Sequence, residues 1–89
     1  MQNAQQQLRA ADNLAELWRG LLPGYEAPAR TQFLTWIGMI SEETATYALN
    51  RAARKAHKEP MTPERIGRYI TGILIHERER NARLAATAR

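Results

Sequence analysis

Apolar residues return along this chain at intervals of three and four, the period of a single helical face. From Ala4 to Leu22 the stripe is Leu8, Ala11, Leu14, Ala15, Trp18, Leu21 and Leu22, and Pro23-Gly24 stops it. A second helix is predicted from Ala29 to Met39. Pro28 suits its first turn, and Phe33, Trp36, Ile37 and Ile40 make an aromatic and aliphatic face. A third is predicted from Glu42 to Lys58, with Ser41 as N-cap and Glu42 and Glu43 at the positive end of the dipole. Its inner face is Ala45, Ala48, Leu49, Ala52 and Ala56, small enough for close helix approach. The fourth runs from Pro63 to Ala85, capped by Thr62, with Ile66, Tyr69, Ile70, Ile73 and Leu74 inside. Breaks fall at Pro23 to Pro28, Gly38 to Ser41, and Glu59 to Pro63.

This pattern predicts an all-α fold: a compact bundle of four helices in a single domain, 1–89, with a protruding charged C-terminal helix end. Composition agrees. Alanine occurs fifteen times and leucine nine, while valine is missing and phenylalanine occurs once, which disfavours strands. A chain of 89 residues has room for a modest core but not for a second domain around a deep cleft. The absence of cysteine excludes a disulfide framework, a cysteine nucleophile and a thiolate metal site. No stretch approaches the roughly 20 apolar residues of a membrane span, and the glutamine-rich N-terminus has no secretory pattern. The expectation is a soluble cytoplasmic protein without a membrane partner.

Catalytic chemistry is poorly provided for. The chain holds one serine, Ser41, better explained as a helix cap, and one aspartate, Asp12. His57 and His76 lie nineteen positions apart, and neither has a second ligand at metal-binding spacing. The five glycines are scattered, so no phosphate-cradling loop exists. The reading is a non-enzymatic protein without metal or cofactor.

Charge changes the picture. The net charge of +4 hides an asymmetry. Residues 1–50 carry three arginines against five acids, a net of −2; residues 51–89 carry ten Lys/Arg against four acids, a net of +6. Within the basic half, Arg51, Arg54, Lys55 and Lys58 fall at i, i+3, i+4 and i+7, all on one helical face. Four like charges on one stripe repel, and an anion lying along it relieves the repulsion; a phosphate backbone is the natural candidate. Arg65 and Arg68 on the next helix extend the candidate set. A solvated face near a helix C-terminus would carry similar residues. The rival function is a protein-interaction module using the second or fourth helix, for a protein partner or as a homodimer in which Glu77 and Glu79 of the last helix meet Arg78, Arg80 and Arg83 of another copy. Of the aromatic residues, Tyr25 and Tyr47 are the two not assigned to a core face.

Two segments resemble known nucleic-acid-binding families. Ser41-Glu42-Glu43-Thr44-Ala45-Thr46-Tyr47-Ala48-Leu49-Asn50 follows a short turn and resembles the S-x-x-T-x-x-x-A-L-N recognition-helix pattern of LacI-type repressors. Glu42 and Glu43 stand where a groove-reading helix presents polar or basic groups, so phosphates rather than base edges are the expected contacts. Tyr69-Ile70-Thr71-Gly72-Ile73-Leu74-Ile75-His76-Glu77 resembles the Y-I-x-x-I-L-x-x-W signature of the C-terminal domain of DnaD-like replication-initiation proteins, with Glu77 in place of the tryptophan. That resemblance implies DNA binding, with DNA favoured over RNA, in bacterial or phage replication, transcription or mobile-element biology.

Overall fold

The computed structural model describes residues 3–87; Arg89, counted above in the basic half, lies outside them. Four helices follow one another: α1 Ala4–Leu21, α2 Arg30–Met39, α3 Glu42–Lys58 and α4 Pro63–Thr87. Each start has a local cause. Asn3 and Gln6 form a reciprocal capping box at α1, with side chain to backbone distances of 2.8 and 3.1 Å. The Ser41 hydroxyl accepts from the Thr44 amide at α3, and the Thr62 hydroxyl accepts from the Arg65 amide at α4. At α2 the cap is Ala29, without a side-chain bond, and Pro28 sits before the helix rather than in its first turn. Gly38 is also placed differently from the sequence reading. It is helical and has no positive φ, so the α2–α3 break is Ile40-Ser41 alone. There the chain leaves helical backbone at Ile40 and restarts at the Ser41 cap.

α2 packs on α1, α3 and α4, and α3 also packs on α1 and α4. The result is a slab of 46 × 32 × 16 Å. Trp18, Phe33 and Trp36 form an edge-to-face chain with centroids 6.2 and 5.6 Å apart. Both indole N–H groups are satisfied: Trp18 donates to the Tyr25 carbonyl at 3.1 Å and Trp36 to the Thr71 hydroxyl at 2.9 Å. Leu22, Leu49, Ile66, Ile70 and Leu74 close the core, and α3 contributes Ala45, Ala48, Ala52, Ala53 and Ala56 to it. Five alanines leave α3 so slim on its inner side that neighbouring helices come close. The outer side is then free to carry long charged chains.

Some expected core positions lie further out. Leu8, just before the first buried residues of α1, is exposed. Ala15, Leu21, Ile40, Tyr69 and Ile73 are half-buried. Ala10 and Ala53, absent from the predicted stripes, are buried. Leu74 is the last buried residue of α4, and residues 78–87 are exposed throughout. At about 1.5 Å per residue the helix continues for about 20 Å beyond the body. No described helix is long and apolar enough to cross a membrane.

Candidate nucleic-acid interface

The basic residues of α3 begin just past its middle, at Arg51. Helical spacing turns Arg51, Arg54 and Lys58 outward while Ala48, Ala52 and Ala56 face inward. Together with Lys55, Glu59 and Tyr69 they line one open depression of about 310 Å³ between the end of α3 and the outer side of α4. All four predicted stripe residues are therefore brought together. Arg51 is shared with an adjoining depression of about 390 Å³, formed also by Arg68, Tyr69, Gly72, Ile73 and His76. Arg65 lies close enough for its charge to act on both Lys55 and Glu59. Five of the six candidates thus line two adjoining depressions across α3 and α4, and Arg65 lies near Lys55 and Glu59.

Most cations of this face have no acidic partner among the described residues, which is also true of Arg9, Arg78 and Arg83. On α1 and α2, Arg19 pairs with Glu16, and Arg30 holds Asp12 through two nitrogens at 2.9 to 3.2 Å. Among the described residues, no carboxylate lies within 4 Å of Arg51, Arg54, Lys58, Arg65 or Arg68. Lys55 is the exception, with its ammonium 2.8 Å from Glu59. Its hydrogen bond to that carboxylate raises the Lys55 pKa, and the same bond holds the Glu59 carboxyl below its ordinary value of 4.5.

Aromatic rings order the cations. The Arg51 guanidinium donates to the Tyr47 hydroxyl at 3.2 Å and lies 5.8 Å from that ring's centroid. The hydroxyl bond is the main reason its pKa is raised further. The Lys55 ammonium sits 5.6 Å above the Tyr69 ring. Tyr47 is 45% exposed, as its outward spacing suggested. Tyr25 is not available: it is half-buried, and its hydroxyl accepts from the Met61 amide. Sequence reasoning missed Tyr69, assigned to the core, and Glu59, read as part of a break. The i, i+4 spacing of Lys55 and Glu59 was the signal for the second. Nothing local marks the first.

The N-terminal end of α3 has the opposite sign. Glu42 and Glu43 line a separate depression with Ser41 and Thr46, and the Asn13 amide lies 3.5 Å from Glu42. The two histidines stand apart. His57 Nε2 donates to the Leu21 carbonyl at the end of α1, while His76 borders the second basic depression. No family model matches the chain, and no curated protein or solved structure does either.

Proposed function

We propose that this protein is a non-enzymatic nucleic-acid-binding domain that grips a phosphate backbone with the outer face of α3 and the facing side of α4. One observation carries the reading: Arg51, Arg54, Lys58 and Arg68, which have no acidic partner among the described residues, and Lys55, which has one, line two adjoining depressions. Phosphate contacts are favoured over base readout by an inserted α3 N-terminus, because Glu42 and Glu43 would meet phosphates there. The helix-turn-helix-like joint of α2 and α3 then serves to present the later part of α3. The DnaD-like motif supports a setting in bacterial or phage replication. In that motif Ile70 and Leu74 are core, and Tyr69 and Ile73 border the basic face.

The interaction-module reading has less behind it. The exposed large apolar residues Leu8, Tyr47, Ile75 and Leu84 are spread over three helices. Ile75 and Leu84 are nine positions apart on α4, about half a turn out of phase, so they do not form one stripe.

The test is a fluorescence-anisotropy titration with labelled oligonucleotides over a range of salt. Log affinity is expected to fall linearly with log salt, at about −0.9 per duplex phosphate or −0.7 per single-strand phosphate. Arg54→Ala and Lys58→Ala each reduce that slope by about one and weaken different sequences equally. Absence of binding at low salt refutes the function. Binding that survives loss of Arg51, Arg54, Lys55 and Lys58 together places the site elsewhere.

A further inference from the structure

Two depressions of different character adjoin on this face, sharing Arg51 and Tyr69. The first is ringed by charge: Arg51, Arg54, Lys55, Lys58 and Glu59. The second exposes mostly apolar surface, and Tyr69, Gly72 and Ile73 line it together with Arg51, Arg68 and His76. A phosphate grip has no use for an apolar surface. A nucleotide unit does, because it joins a charged phosphate to a flat apolar base. In a duplex the base faces are stacked and paired, so a seat of this kind stays empty. An unpaired base can turn its face into such a seat.

Resting on the phosphate-binding reading above, we infer that the ligand is single-stranded nucleic acid, with its backbone along Arg54, Lys55 and Lys58 and one unstacked base seated on Tyr69, Gly72 and Ile73. Arg51 and Arg68 flank the base and hold the phosphates on either side of it. Gly72 is what keeps the seat open. A Cβ built there meets no atom within 4 Å, so the space above it is vacant surface rather than packed core. Its φ is not positive, so glycine is not required by the backbone.

That vacancy supplies the experiment. Gly72→Leu fills the seat and leaves every cation in place. It replaces a helix-interior glycine with a better helix former, so the variant melts no lower than the parent. Gly72→Ala adds a single carbon and serves as the size control. Affinities for an oligothymidine and for a hairpin duplex of equal phosphate number are measured by anisotropy at two salt concentrations. The parent is expected to prefer the single strand. Gly72→Leu loses about five- to a hundredfold in single-strand affinity, the range for one base contact, with its salt slope and duplex affinity unchanged. Gly72→Ala stays within about twofold of the parent. A parent that prefers duplex, or a Gly72→Leu variant that keeps its single-strand affinity, overturns this inference and leaves the phosphate grip standing. A parent that binds neither probe overturns both.

Discussion

Trp36 ties α2 to α4, and its truncation to alanine tests the packing argument most severely. The side chain is 2% exposed. It leans edge-on against Phe33 at 5.6 Å and donates its indole N–H to Thr71 on α4 at 2.9 Å. Alanine removes the buried ring and leaves a cavity, a change that costs about 3–5 kcal/mol. The aromatic pair accounts for about 0.5–1.5 kcal/mol of this and the hydrogen bond for about 1. A domain of this length has a total stability of about 4–13 kcal/mol, so the loss is a large fraction of the whole. At about 4–8 °C per kcal/mol for a small domain, the melting temperature falls by at least about 12 °C. Far-ultraviolet circular dichroism of the helices on heating measures it. Trp36→Phe keeps an edge-to-face ring but loses the N–H. Thr71 retains a partner, since its hydroxyl donates to the Gly67 carbonyl at 3.0 Å. That variant is expected to lose about 1–2 kcal/mol. A Trp36→Ala protein melting within a degree or two of the parent would refute the core described above.

Ala48 is completely buried on α3, so Ala48→Leu should overpack the helix contacts and cost about 1–3 kcal/mol, read from urea unfolding. Ser41→Ala removes the cap of α3 and should cost about 1 kcal/mol by the same measurement. Glu59→Gln frees Lys55 and removes the negative charge beside the stripe. If one further counterion is released on binding, affinity at about 0.1 M salt rises about five- to eightfold and the salt slope steepens by about 0.7–0.9. The pH dependence has a definite sign. Because the folded Glu59 carboxyl is held below its ordinary 4.5, its pairing with Lys55 stabilises the fold above that value and is lost as pH falls through the lowered one. Over that same acid range the affinity gap between Glu59→Gln and the parent should close.

Much of this protein follows from short-range rules that act within a few residues. Ser41 and Thr62 can satisfy backbone amides only three positions ahead, so they mark helix starts in any surroundings. The outward stripe of Arg51, Arg54 and Lys58 and the inward alanines are consequences of helical period alone, and both were legible before any tertiary contact was known. What period cannot specify is how far a neighbouring helix reaches and which side chain it offers. Leu8 shares the spacing of the α1 stripe, yet in the folded bundle it stays exposed. Tyr69 has the spacing of a core residue and packs against the core, yet its ring is only half-buried and lies 5.6 Å from the Lys55 ammonium. The meeting of Arg51 with Arg68, seventeen positions away, depends on α3 and α4 packing side by side. A chain read residue by residue carries the charges of the candidate interface. The apolar seat between them arises only where two helices, each obeying its own period, come into contact.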